Sequence, residues 1–352
     1  MRFTGGRGVL QVHPTRRCNL TCVHCYSDSG PRARDEIPLP VLADLIADAA
    51  SLGYEVLAVS GGEPFLYPRL PEFLGQAKAA GLRCLITSNG ILVGPRRLGA
   101  LAGRLDLLVL SLDGPPPEHD RMRARAGAHD AMARRLGSIR EAGIPFGFLF
   151  TLTQYNVHHL EWAAEFAAAS GASLLQVHPL EPSGRGRLMP DAVPDTIEAS
   201  YALLEVARLR RAFGETLRFQ LDLAATGTFA ALLHALVTTE QAGPAGGLSE
   251  VLSPLVVEPD GCCVPLAYGF PRRFALGNLH QDRLSHLAES WTAGVLPALH
   301  DVGRTVARQL SEPGAPAVVN GYELLARAAL APAGTGEEHA APSVQPQHPG
   351  RN

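Results

Sequence analysis

No uninterrupted apolar run of about 18 residues or more occurs in these 352 residues, so the sequence offers no membrane-spanning helix. Charge is scarce too: 18% of residues are charged and the formal net charge is -3. That balance gives no electrostatic footing for nucleic acid or an anionic membrane. Only six cysteines occur, three clustered near the start and Cys84, Cys262 and Cys263 far away. A secreted disulfide scaffold would be denser, so metal or redox chemistry in a reducing compartment is expected instead. The first ten residues, MRFTGGRGVL, are too short and too rich in glycine for a signal peptide. These absences describe a soluble, cytosolic protein. Its 46% hydrophobic content supports one large domain with an appendage.

Short apolar runs alternate with longer helical patterns. GVLQVHPT (8–15), YEVLAVS, LRCLITSNG, LLVLSLDG, IPFGFLFTLT and SLLQVHPL read as strands. LPVLADLIADAASLG, LPEFLGQAKAAG, a short segment before LLVLSLDG, and segments near 128–142 and 157–170 read as helices. About six βα repeats thus fill the first 190 residues. Strand–helix alternation predicts a parallel sheet with right-handed crossovers. Six repeats fall short of a closed eight-stranded barrel, so the expected fold is α/β, an open partial (β/α)6 barrel with a small C-terminal α+β extension. HPTRRCNLTC, SGGEP, TSNG, SLDG and TQYN all fall where a strand stops. Each could be a plain turn, but five on one edge mark the side where parallel α/β folds bind ligands.

The expected divisions are a core at 1–190, a mostly helical connection at 191–250 with one candidate strand at LRFQLDL, and an extension at 251–300. C-terminal helices at 301–330 and a disordered tail at 331–352 complete the chain. AGPAGG (242–247) reads as a linker, and LSPLVVEPDGCCVPLAYGF as a hairpin turning on Pro259, Asp260 and Gly261.

The stretch RRCNLTCVHCY spaces Cys18, Cys22 and Cys25 by three residues and then two. Three thiolates this close suit a metal, but closed zinc and fully ligated four-iron sites take four ligands. His13 or His24 could complete a zinc shell, and three unrelated core cysteines are the other plain reading.

CNLTCVHC, placed after the first strand, with GGEP ending the second, resembles the CxxxCxxC signature and cofactor motif of radical S-adenosylmethionine (radical SAM) enzymes. The resemblance covers the first ~190 residues and extends more weakly to about residue 300. It implies one [4Fe–4S] cluster on Cys18, Cys22 and Cys25, whose fourth iron is left for the amino and carboxylate groups of S-adenosylmethionine. It further implies reductive cleavage to methionine and a 5′-deoxyadenosyl radical that abstracts hydrogen from a substrate. By the same resemblance, Gly61, Gly62, Glu63 and Pro64 bind the amino group of the cofactor. Ser88, Asn89, Ser111 and Asp113 are ribose contacts, though Asp113 could be a turn residue in DG. The backbone at His24 meets the adenine. Arg123 pairs with the cofactor carboxylate, with Arg121 and Arg125 close enough to leave that assignment loose. Gly184 and Arg185, in PSGRGR, match a frequent family loop of unclear role.

The segment EPDGCCVPLAYGFPRRFALGNLHQDRLSHLAESW resembles the SPASM or twitch extension of the superfamily, but Leu266 stands where a cysteine is usual. The extension is therefore expected without an auxiliary cluster. Successive strand residues face opposite ways, so only one of Cys262 and Cys263 can face the barrel, as a buried apolar residue or a hydrogen-atom donor. Relatives with such extensions often modify ribosomally made peptides, which implies a peptide substrate and a low-potential flavodoxin- or ferredoxin-type electron donor. With no peptide-binding domain expected before Val9, leader recognition falls to the extension or a separate leader-binding protein. A small metabolite as substrate, and a non-catalytic metal-binding protein of the same fold, are the alternatives.

Overall fold

The computed structural model describes residues 8–238 and 247–331. The tail expected at 331–352 lies outside them from residue 332, as does the expected linker except for Gly247. The first half is a run of βα units: β1 (Gly8–Val12), α1 (Leu39–Ser51), β2 (Tyr54–Val59), α2 (Leu70–Ala79), β3 (Arg83–Ser88), α3 (Pro95–Ala100) and β4 (Leu107–Leu112). Three short helices follow, α4 (Pro116–Met122), α5 (Ala128–Ala133) and α6 (Leu136–Glu141). They lead to β5 (Phe146–Leu152), α7 (Leu160–Ser170) and β6 (Leu174–Pro179). All six strands are parallel neighbours in chain order.

Local sequence explains these elements. In α1, Leu42, Leu45, Ile46 and Ala49 fall on one buried face, at the spacing that a 3.6-residue turn requires. Gly53 follows at φ 84°, a conformation that glycine adopts without strain. On β4 and β5, Leu108, Leu110 and Leu112 lie beside Phe146, Phe148 and Phe150, all buried in one core. The alternate face turns polar towards the carboxyl ends of the strands, with Gln11 and His13, Ser111, Thr151, Gln176 and His178. One face of the sheet is thus sealed by apolar packing, and the other is furnished for polar ligands.

The connecting region holds α8 (Thr196–Phe213), β7 (Arg218–Leu221), β8 (Ala224–Ala225) and α9 (Thr226–Thr238). Asp195 starts α8 with a capping box, its carboxylate accepting from Ile197 N and Glu198 N. The candidate strand at LRFQLDL is β7, which joins β6 as a seventh parallel strand rather than standing apart from the core. Its alternating half-buried residues, RFQL, suit an edge position.

The rest comprises α10 (Leu248–Val251), β9 (Leu255–Val257), β10 (Cys262–Pro265), β11 (Gly277–Asn278), α11 (Leu284–Gly294), α12 (Leu296–Leu310), β12 (Val318–Val319) and α13 (Gly321–Leu330). The hairpin β9–β10 continues the main sheet, because β9 pairs in parallel with β1. One ten-stranded sheet results, ordered β11-β10-β9-β1-β2-β3-β4-β5-β6-β7, so the expected small extension shares its sheet with the barrel. Arg283 fastens the start of α11 to α1 through Asp48 (2.6 Å) and Asp44 (3.0 Å). Among the described residues no helix is long and apolar enough to cross a membrane.

Candidate active site

The cysteine loop follows β1, and neighbouring strand ends hold it in shape. Gly62 N donates to Thr15 O and Glu63 N to Arg17 O, both at 2.9 Å, so the GGEP turn is laced directly to the loop. A Cβ on Gly62 would lie 2.2 Å from Arg17 O, which is why this position takes glycine. The close approach required is to the cysteine loop. Cys18 and Cys22 are buried and Cys25 half-buried, with Leu20, Ile91, Ala128 and Ala131 packed around them.

Burial pushes the Cys18 thiol up to about 12, with help from Glu63, and burial raises Cys22 against the pull of Arg123. Cys22 and Cys25 add to the rise at Cys18, and Cys25 adds to the rise at Cys22. The donor set, three soft thiols in one apolar-walled loop, fits an iron–sulfur cluster with one iron left open.

Glu63 is fully buried, and its carboxylate accepts from Phe65 N (3.2 Å), Ser88 Oγ (2.9 Å) and Asn89 N (3.0 Å). Burial dominates and raises its pKa, while these three donors oppose it. Pro64 opens the short 3-10 turn that places Phe65 N against that carboxylate. Ser88 thus supports Glu63, and its Oγ also accepts from Gly90 N at 3.0 Å. Asn89 donates to Asn19 Oδ1 (2.9 Å) and lies 3.9 Å from Cys18 Sγ, bracing the cysteine loop.

Asp113 is likewise held by a neighbouring side chain. Its side chain is fully buried and grips Arg123, with Arg123 Nε 2.7 Å from Oδ2 and Nη2 3.0 Å from Oδ1. Burial alone would raise this carboxyl; the Arg123 charge, aided by His24 and His119, outweighs it and holds the pKa low. Oδ1 accepts from Arg123 Nη2, while Oδ2 is paired by charge with Nε but has no hydrogen-bond partner, so Asp113 is more than a turn residue. Arg123 also approaches Cys22 Sγ at 3.9 Å, which puts a cation beside the thiols. His24 is buried in this hub, its Nδ1 3.2 Å from Met122 O, and burial lowers its pKa to about 4. Ser111 is buried on the polar face of β4.

The hairpin cysteines separate as alternation requires. Cys263 lies in register with Val257, and Val257 with Val12, on the apolar face; it is fully buried and its thiol is raised by burial. It is a core residue, the buried apolar alternative of the two expected for this pair. Cys262 faces the other way, in the surroundings of Arg272, Glu258 and Asp260.

Sequence reasoning gave Gly184 and Arg185 no role, and it missed the group around His178. Arg185 donates from Nε to Cys22 O (2.8 Å), from Nη2 to Ser29 O (2.9 Å) and from Nη1 to Asp28 (2.6 Å), while its backbone N–H reaches Cys25 O (2.9 Å). Gly184, at φ 53°, lies so close that a Cβ would sit 2.3 Å from Tyr26 O. The PSGRGR loop thus clamps the cysteine loop from across the sheet. We expect Arg185→Ala to fold normally and to lose reconstituted iron to a chelator roughly tenfold faster, as changes in outer-shell support do; unchanged retention would show that the clamp is ornamental.

At the far end, His178 is held between Asp222 (2.8 Å) and Glu181 (3.1 Å), and Gln176 donates to Asp222 at 2.7 Å. Burial alone would lower the His178 pKa; hydrogen bonds to the two carboxylates raise it to about 10. A raised folded-state pKa gives stability that is complete below the unfolded value of 6.5 and lost as pH climbs towards 10. Denaturant midpoints of wild type and His178→Gln should therefore differ most near pH 6 and converge by pH 10, the gap at low pH being on the order of a few kcal/mol. A gap independent of pH would refute the assignment.

Comparison with known proteins places this geometry. Residues 12–167 match the family model described as the radical SAM superfamily. The mycofactocin maturase MftC of Mycobacterium ulcerans is 30% identical over 274 residues, covering 76% of this chain and 70% of that one. The Fe-coproporphyrin III synthase of Methanosarcina barkeri is 34% identical over 183 residues, 51% of this chain and 46% of that one. With respect to that synthase and the heme synthases it also matches, the chain spans about half their length. Among solved structures, Streptococcus suis SuiB bound to S-adenosylmethionine superposes with a TM-score of 0.64 at 16% identity, covering 84% of this chain and 68% of that one.

Proposed function

This chain belongs to the radical SAM superfamily, whose members use a [4Fe–4S] cluster and S-adenosylmethionine, and on that premise we propose that it is a radical SAM enzyme acting on a peptide. The observation that carries the reading is the thiol triplet of Cys18, Cys22 and Cys25, laced to a buried Glu63 by consecutive backbone hydrogen bonds. When bound, the cluster and S-adenosylmethionine supply an adenosyl radical that takes a hydrogen atom from the substrate. The chain's own part is to hold and shield. Cys18, Cys22 and Cys25 hold three irons; Leu20, Ile91 and Ala128 exclude water around them. Glu63, fixed by three donors, orients the GGEP backbone towards the amino group of the cofactor. Arg123, oriented by Asp113, keeps positive charge next to the thiols.

What supports a peptide substrate is that similarity to the maturase of Mycobacterium ulcerans runs over 274 residues, past the barrel, while the other mycobacterial maturases, like the porphyrin enzymes, match over about half the chain. SuiB, which shares the fold, has also been crystallised with its precursor peptide SuiA. Residues 251–300 then serve as a SPASM- or twitch-like extension over the substrate, with a flavodoxin- or ferredoxin-type donor supplying electrons and a leader-binding partner presenting the peptide. The test is to reduce the reconstituted protein with S-adenosylmethionine and a short peptide encoded beside its gene. Equal 5′-deoxyadenosine and methionine with a changed peptide mass supports the reading; the same cleavage with turnover of a porphyrin and none of the peptide overturns the substrate assignment.

A further inference from the structure

Among the described residues, five of the seven large apolar side chains that stand exposed belong to α8 and its approach: Tyr155, Leu188, Ile197, Tyr201 and Leu204. Ile197, Tyr201 and Leu204 are spaced by four and three along α8, which aligns them as one outer ridge. The inner side is already used, with Ala199, Ala202, Val206 and Leu209 buried. Leu188 lies on the lead-in to α8. Tyr155 is in the loop after β5, which is bonded to that lead-in, Gln154 N donating to Ala192 O (3.0 Å). Exposed apolar side chains scattered singly are ordinary; a ridge with Ile197 75% and Leu204 71% exposed marks a contact surface. The ridge is firmly presented. The capping box of Asp195 and Glu198 fixes its start, and Arg208 ties α8 to Glu161 of α7 (2.6 Å).

The chain itself has little left to cover this surface. Segments 1–7, 239–246 and 332–352 contain only Met1, Phe3 and Val344 as large apolar residues. Charge then favours a second copy. Asp191 and Asp195 lie at the N-terminal end of α8 and Arg208, Arg210 and Arg211 towards its C-terminal end, all exposed. A helix so charged complements itself when two copies cross antiparallel, because acids face arginines at both ends and the helix dipoles oppose.

We propose that this chain forms a two-fold dimer through α8, packed antiparallel, with Tyr201 of each copy against the partner's Leu204 and Asp195 near the partner's Arg211. Such a contact is isologous, the same patch serving both copies. It is independent of the substrate assignment. An 18-residue helix is about 27 Å long. With Tyr155 and Leu188 adding to each end, the contact is of the smaller, transient class, and the expected dissociation constant is on the order of 10 µM.

Sedimentation velocity of the reconstituted full chain between about 1 and 100 µM tests this. The wild type should move from the 37.4 kDa mass of one chain to twice that mass as concentration rises. Leu204→Glu sets a carboxylate against the partner's Tyr201 and should weaken association at least ~tenfold, with iron content and thermal midpoint unchanged. Ile197→Glu, at a second ridge position, should do the same. Arg211→Glu faces the partner's Asp195 with like charge and should weaken association roughly threefold or more. A wild type that stays monomeric at the highest concentration overturns the inference; if Leu204→Glu then also impairs turnover of a peptide, the ridge docks peptide instead. A dimer indifferent to both glutamate substitutions on the ridge overturns it too, since another face would hold the copies together. Weakening by Leu204→Glu with none by Arg211→Glu overturns the antiparallel register.

Discussion

Replacing Cys22 by serine is expected to abolish 5′-deoxyadenosine formation and to leave the protein folded with little or no bound iron. Cys22 is one of three ligands, and a three-thiolate set has no spare member. Its loop is held independently of the metal, by Cys18 N donating to Gly30 O, by Gly62 and Glu63 donating to Thr15 and Arg17, and by Arg185 reaching Cys22 O. The fold should therefore survive the substitution while the chemistry does not. The loss expected is at least a thousandfold in product formed, equivalent to about 4 kcal/mol or more of lost transition-state stabilisation. Cys84 supplies the contrast: it is buried in the core with its sulfur near Leu74 O, and Cys84→Ala should cost stability but keep iron and activity. If Cys22→Ser still cleaved S-adenosylmethionine, the assignment of ligands would be wrong.

The second large effect concerns Asp113. Asp113→Asn is nearly isosteric, yet it strands the Arg123 guanidinium in a buried site without its counter-ion. Breaking one side of a buried pair typically costs ~3–5 kcal/mol, and the denaturant midpoint should fall accordingly. Removing both charges, as Asp113→Asn with Arg123→Met, should cost clearly less than the sum of the two single changes. A single Asp113→Asn change costing under ~1 kcal/mol would mean that the site behaves as a surface pair does.

How far the sequence discloses this arrangement depends on whether partners lie near each other along the chain. The cysteine spacing and the GGEP turn are local, and both can be read from the residues alone. Strands β1 to β6 show because their apolar runs stand between helical patterns with glycines at the joints, as at Gly53 and Gly171. The pairing of β9 with β1 joins residues about 245 apart, and no local pattern announces it. Strand β7 is visible as RFQL, but its place beside β6 depends on Asp222 meeting His178, 44 residues away. Ser88 and Asp113 carry the right chemistry for a sugar contact, but their orientation is decided by Glu63 and Arg123, which only the tertiary structure brings to them. Arg185 could be noticed as a motif, and its clamp on Cys22 O spans 163 residues. Cys263 could have been placed by alternation only with the register of the hairpin in hand.

The most direct test of the central claim, that three thiolates hold a cluster with one iron left for the cofactor, is low-temperature EPR of the anaerobically reconstituted, dithionite-reduced protein, with iron counted on the same sample. The account predicts about four irons per chain and a reduced-cluster signal whose shape changes when S-adenosylmethionine is added. A signal indifferent to S-adenosylmethionine, or zinc in place of iron, would contradict it.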